Sequence, residues 1–175
     1  MPMASLPVAI AGRNRMIRRM ISDSIRQDPD WMDGKYKIQP RGLITAIYAF
    51  IFMVSCPLQW QKQAPTQKQA DELFDTLVGD YLDTLDANDL LYQIEASSDY
   101  DPAPFLENIR APLLAINSED DQVNPPELGI MEEAIGRVRG GRYTLIPTSE
   151  RTRGHRTYAF ADIWSHHLND LLKSL

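Results

Sequence analysis

Two stretches near the C-terminal end decide how this chain folds: Ala111-Pro-Leu-Leu-Ala-Ile-Asn-Ser-Glu-Asp-Asp-Gln-Val-Asn-Pro125, and Arg142-Tyr-Thr-Leu-Ile-Pro147 running on to Thr152-Arg-Gly-His155. Each starts as a short apolar run and ends in a polar turn. The first turn carries carboxylates and the second a histidine. Open α/β sheets bind their ligands at the carboxyl ends of the strands, so this pattern brings an acid and a base to one rim. Around these stretches the pattern predicts a helical turn at 105–109, a strand at 112–116, a helix at 126–137, a strand at 143–146 and a C-terminal helix at 158–172. Pro126 suits a first helical turn. The alternation of strand and helix means parallel pairing with right-handed crossovers.

Upstream the reading is helical. Residues 1–7 are apolar and end in proline, which suits the end of a buried strand. Residues 12–27 show helical spacing, with Met16, Ile17, Met20, Ile21 and Ile25 on one side and arginines on the other. Asp28-Pro29 stops that helix, because the residue before proline is pushed out of the helical region. Turn-forming residues fill 30–42, an apolar helix spans 43–56, and a polar loop at 59–65 leads to Thr66, the N-cap of a helix at 67–85. Its core face would use Ala70, Leu73, Phe74, Leu77, Val78, Tyr81 and Leu82. A helix at 86–97 takes Asp86 as cap and buries Leu90, Leu91, Tyr92 and Ile94. The expected class is therefore α/β with about three parallel strands, built from 1–12 and 101–175, with a helical insertion at 13–100.

Length and composition bound the function. At 175 residues and 43% hydrophobic, the chain has enough apolar content for one domain core. A formal charge of −6 argues against nucleic acid, since no basic stripe exists to replace phosphate counterions. The one basic cluster, Arg13, Arg15, Arg18 and Arg19, reads as a solvated helix face balanced by Asp23, Asp28 and Asp30. The single cysteine, Cys56, excludes an intrachain disulfide and a cysteine-based zinc site, and its apolar neighbours predict a buried, inert thiol. The leading residues do not read as a signal peptide, which favours a cytoplasmic location. The apolar run of 14 residues from Leu43 to Cys56 falls short of the roughly 20 that cross a membrane. It is expected to be a buried helix or a cap over an apolar pocket.

The chemistry centres on Asp120, Asp121 and His155. A carboxylate that orients an imidazole must be held rigidly, and a turn after a strand closed by Pro125-Pro126 can do that. A metal site from Glu119, Asp120 and Asp121 is disfavoured, because adjacent carboxylates point different ways and no further ligand is placed by the sequence. Gly154 lets the backbone bend tightly beside His155. Acid followed by base agrees with the Ser…Asp…His order of α/β-hydrolases. His166 and His167 are neighbours on the last helix and diverge by about 100°, so one is expected to pack and one to be exposed.

Several motifs resemble the homoserine O-acetyltransferase-like branch of the α/β-hydrolases. They are Ala11-Gly-Arg-Asn-Arg-Met16, Asp28-Pro-Asp-Trp31 with Gly34 and Tyr36, Gln39-Pro-Arg-Gly-Leu43, Asp86-Ala-Asn-Asp-Leu-Leu-Tyr92, Tyr100-Asp-Pro102, Ile116-Asn-Ser118 with Asp121 and Pro125-Pro126, and Arg153-Gly-His155. They run in order over nearly the whole chain. The resemblance implies a ping-pong mechanism, in which a serine takes an acyl group from an ester or a thioester such as acetyl-CoA and passes it to an alcohol or to water. It assigns Asp121 as the acid and His155 as the base, with no cofactor and no metal. It makes the helical insertion a lid that contributes to homodimer contacts, and it sets Arg13 and Arg15 where a substrate carboxylate would be met.

One element of that pattern is missing. None of the nine glycines is followed two positions later by serine or cysteine, so no Gly-x-Ser-x-Gly elbow is present. The expectation is the C-terminal portion of such an enzyme, inactive alone, with an exposed strand edge that promotes self-association. The alternative is a non-enzymatic interaction or dimerisation module derived from the same fold. Arg156 is bulkier than the small residue expected after the histidine and would alter substrate access.

Overall fold

The computed structural model describes residues 5–174. The chain divides into two compact units, Ile10–Asp99 and Met1–Ala9 with Tyr100–Leu175.

The first unit is all helical: α1 (Gly12–Arg26), α2 (Gly42–Met53), α3 (Pro57–Gln63), α4 (Gln67–Leu82) and α5 (Ala87–Glu95), with a 3-10 segment at Pro29–Gly34. Helix α1 packs on α2 and α5. Ile21 and Ile25 of α1, Leu43, Ala46, Ile47 and Ile51 of α2, and Leu90, Leu91 and Ile94 of α5 form the buried core. Fully burying an isoleucine or leucine contributes about 1.5–3 kcal/mol, so this layer is the main source of the unit's stability. Expected core residues Met16, Met20 and Tyr92 are instead 69%, 57% and 74% exposed. Their side chains continue the apolar stripe past the arc that the neighbouring helices cover. Helix α4 has no fully buried residue, and Ala70 and Leu82 are exposed. Two aromatic pairs join it to α2, Tyr48 with Phe74 at 5.1 Å and Phe50 with Tyr81 at 5.4 Å.

The expected loop at 59–65 is largely helix. Helix α2 stops at Met53, and α3 starts at Pro57 with an axis turned by 104°. Proline is tolerated there because the first helical turn has no partner for its N–H anyway. No single helix among the described residues is long and apolar enough to cross a membrane. Cys56 is buried.

Residues 28–42 are tied to the start of α5. Asp86 accepts from the N–H of Asn88 at 2.9 Å and of Asp89 at 3.3 Å, which caps the helix, and from the Tyr36 hydroxyl at 2.6 Å. Gln39 donates its amide to Asp86 and accepts from Ala87 N at 3.0 Å. Asn88 accepts from Trp31 Nε1 at 2.9 Å and donates to Gly34 O at 3.0 Å. Burial acts to raise the pKa of Asp86, but donation from Tyr36, Gln39 and the backbone N–H groups outweighs it and leaves the carboxyl below its ordinary value. A depressed folded-state value means that this contribution is intact above the unfolded pKa, about 4, and fades as pH falls through the lower folded one. Asp86→Ala is therefore expected to lower stability by about 1–2 kcal/mol at neutral pH. The gap from wild type should narrow as pH falls below about 4, read by denaturant titration. A gap that stays constant down to the acid limit would contradict this account.

The second unit carries the sheet. Strands β1 (Leu114–Ser118) and β2 (Arg142–Ile146) pair in parallel from Leu114 opposite Arg142 to Ser118 opposite Ile146. The bond from Glu119 N to Ile146 O, 2.9 Å, extends the ladder into the first turn. The crossover contains a 3-10 turn at Pro126–Leu128 and α6 (Ile130–Ile135), and the unit ends in α7 (Ala161–Lys173). The expected continuous helix at 126–137 is broken at Gly129, whose φ of 67° is left-handed and interrupts the helical ladder. Leu106, Ala134 and Val138 form a small core with Ile109, Leu113 and Ile135. On α7 His166 is exposed and His167 half-buried, but the side chains do not diverge as the spacing predicts: their ring centroids lie 3.9 Å apart.

Two strands, not about three, make up the sheet among the described residues. Of the strand expected at 1–7, residues 1–4 lie outside the described residues and 5–7 are not strand. Residues 5 and 6 are anchored by side chains in place of a ladder: Leu6 N donates to Asn124 Oδ1 at 3.2 Å, and the Tyr100 hydroxyl to Ser5 O at 3.4 Å.

Candidate active site

Strand β1 ends on Ser118, and a tight turn from Asp121 N to Ser118 O, 3.0 Å, brings Asp121 back over the strand end. Only 3% of Asp121 is exposed. Its Oδ1 accepts from Val123 N at 2.7 Å and Asn124 N at 3.0 Å, which fixes the carboxylate. Its Oδ2 lies 3.0 Å from His155 Nδ1.

His155 arrives from the loop after β2. Gly154 precedes it at φ 57°, a left-handed turn open to glycine at no steric cost. Gly154 N donates to Asp120 Oδ2 at 3.1 Å, and the Ser118 hydroxyl donates to Asp120 Oδ1. Asp120 thus ties the histidine turn to the end of β1, while Asp121 meets the ring. Thr157, buried, accepts from Arg153 N at 2.8 Å and reaches the Ser118 hydroxyl at 3.4 Å. The imidazole edge rests against the Tyr158 ring, with centroids 5.5 Å apart and planes at 73°.

With Asp121 accepting, Nδ1 carries the proton of the neutral ring and Nε2 keeps the lone pair. The histidine side chain is 28% exposed, whereas the aspartate side chain is 4% exposed. A buried, doubly anchored carboxylate behind a partly exposed imidazole is what a general base requires.

The three consecutive carboxylates diverge. Glu119 accepts from Thr148 N at 2.8 Å, Asp120 faces Gly154, and Asp121 faces His155. Arg156 is exposed. Arg13 and Arg15 are exposed on α1 of the helical unit. Of the acids expected to balance the cluster of Arg13, Arg15, Arg18 and Arg19, Asp23 pairs with Arg19, while Asp28 accepts from Asp30 N and Gly42 N. Sequence reasoning gave no role to Ser118, Asn124 or Thr157. Ser118 ends β1, whereas Asn124 and Thr157 stand farther along the segments that follow β1 and β2. Their one signal was that a polar residue must find a partner once buried.

No protein-family model and no curated protein significantly matches this sequence. Solved structures do. Homoserine O-acetyltransferase from Bacillus anthracis superposes with a TM-score of 0.80 at 19% identity, over 95% of this chain and 50% of that one. Esterase E22 gives 0.74 at 16% identity, over 94% and 52%. The acetyl esterase MekB gives 0.68 at 15% identity, over 94% and 52%. Likeness at such identities carries the fold, which is an incomplete α/β-hydrolase fold. The chain spans about half the length of these structures.

Proposed function

We propose that these residues form the acid–base portion of an α/β-hydrolase site for acyl transfer or ester hydrolysis, the C-terminal half of a homoserine O-acetyltransferase-like enzyme. The observation that carries the reading is the Asp121–His155 pair, 3.0 Å apart on the turns after two adjacent parallel strands. In such a site a serine hydroxyl gives its proton to His155 Nε2 as its oxygen attacks the acyl carbonyl. Asp121 steadies the imidazolium, which then returns the proton to the leaving group.

The attacking atom must come from polypeptide other than these 175 residues, since no glycine here precedes a serine or cysteine by two positions. The same holds for the backbone N–H beside the nucleophile that completes an oxyanion hole. The substrate class is a small acyl ester or thioester, with an acyl donor such as acetyl-CoA acting as substrate and not as cofactor. Arg13 is a candidate contact for a substrate carboxylate, and the helical insertion a candidate homodimer surface.

Incubation of the 175-residue chain with 4-nitrophenyl acetate tests the proposal. The expected result is hydrolysis at the background rate, equal in wild type and His155→Ala. Clear turnover that disappears in His155→Ala would keep His155 as the base but overturn the proposal that the nucleophile lies outside these residues. Clear turnover unchanged in His155→Ala would overturn the role of His155.

A further inference from the structure

We propose that the groove between α1 and α5 binds a phosphate dianion, free or as the monoester of a larger molecule. This goes beyond the acyl-transfer reading and rests on the helical unit alone. The groove has a volume of about 330 Å³ and is lined by four arginines, Arg15, Arg18, Arg19 and Arg26, against two acids, Asp23 and Glu95.

Charge is unevenly matched there. Arg19 pairs with Asp23 at 3.1 Å, and Glu95 holds Arg26 through two bonds of 3.0 and 2.8 Å. Both acids are thereby engaged. Arg18 meets no carboxylate: its Nε donates to Asn14 Oδ1 at 2.8 Å, and its Nη1 to Ile94 O at 3.2 Å and Ser97 Oγ at 2.8 Å. The Nη2 hydrogens remain for a ligand, since a guanidinium carries five N–H donors. Arg15 forms no side-chain hydrogen bond or ion pair among the described residues.

Among the described residues, two guanidinium charges therefore share one groove without a carboxylate partner, in a chain of formal charge −6. Burial depresses the pKa of Arg18, and the like charge of Arg15 depresses it further, a strain that an anion relieves. A dianion answers both charges, whereas a monocarboxylate answers one. Guanidinium forks also match the oxygens of a tetrahedral phosphate. Arg15 is thus assigned a dianion in place of the substrate carboxylate that the family resemblance implied for it.

Isothermal titration of the full chain at constant ionic strength tests this, using inorganic phosphate, adenosine 5′-monophosphate and acetate in separate runs. Both phosphates are expected to bind saturably and acetate not to. Arg15→Gln should weaken phosphate binding about tenfold or more. Glu95→Gln, which removes a negative charge from the groove, should tighten it. Lys68→Gln removes the same charge as Arg15→Gln, but from α4, and should change nothing. Tighter binding of the nucleotide than of phosphate assigns the groove to a phosphorylated molecule, and equal or weaker binding assigns it to free phosphate. Absence of saturable phosphate binding overturns the proposal. So does equal binding of acetate, or an Arg15→Gln protein, folded by circular dichroism, with wild-type affinity.

Discussion

Asp121→Asn, placed in a polypeptide that joins these residues to a Gly-x-Ser-x-Gly nucleophile, is expected to lower kcat about ten-thousand-fold with little change in fold. The amide keeps one oxygen to accept from Val123 N and Asn124 N, so the turn after β1 stays formed. The group facing His155 Nδ1 becomes an N–H donor. The imidazole must then present a lone pair at Nδ1 and carry its proton at Nε2, the wrong tautomer for taking a proton from a nucleophile. His155→Ala removes the base altogether, and the two losses combined should barely exceed either one alone, because the residues act as a unit. Steady-state kinetics on the two single variants and the double variant provide the measurement. Multiplicative losses, or an Asp121→Asn enzyme within tenfold of wild type, would remove Asp121 from the reaction.

Gly42→Ala is expected to be the most damaging small substitution in the helical unit. A Cβ at this position would lie 2.1 Å from the carbonyl oxygen of Ser24, a backbone atom of α1 that cannot move without shifting the helix. The glycine N–H also donates to Asp28 Oδ2 at 2.5 Å, so the start of α2 is held from two sides. Separating α1 from α2 loosens the layer that contains Ile21, Ile25, Leu43 and Ile47. Overpacking of this kind costs about 3 kcal/mol, equivalent to a fall in Tm on the order of 10 °C or more for a unit of this size. Gly79→Ala supplies the contrast. Nothing lies within 4 Å of its Cβ position, and alanine is the better helix former. It should leave Tm unchanged or raise it. Thermal unfolding of the two variants decides the matter, and equal effects would show that helix propensity, and not the close approach of α1 to α2, governs both positions.

The motifs at 28–43 and 86–92 that suggested a family turn out to be two halves of one structural device. Trp31, Gly34, Tyr36 and Gln39 converge on Asp86, Ala87 and Asn88. Motifs of this sort are legible because irregular backbone needs specific partners, and few residue types supply them. The capping roles of Thr66 and Asp86 were legible for the same reason, being set by one side chain and the N–H groups two or three residues on. What could not be read was the extent of each helix face that neighbours would cover, hence the exposure of Met16, Met20 and Tyr92. Nor could the pairing of charges be read. Asp28 stands five positions after Asp23 with the same carboxylate, yet backbone N–H groups took it where an arginine took the other.

By itself the sequence determined the order of elements and the two turns on which an acid and a histidine stand, since strand ends, caps and proline stops are set by residues near one another in the chain. It also shows that none of the nine glycines is followed two positions later by serine or cysteine. The resemblance names Asp121 as the acid; tertiary structure supplied the physical reason, because Gly154 N from the turn after β2 and the neighbouring Ser118 hydroxyl claim Asp120 and leave Asp121 to face the ring. Tertiary structure also decided that, among the described residues, Arg15 and Arg18 pair with no acid in the groove of α1 and α5. A carboxylate's partner is chosen by which donors the fold brings within about 3 Å, and sequence spacing carries no record of that distance.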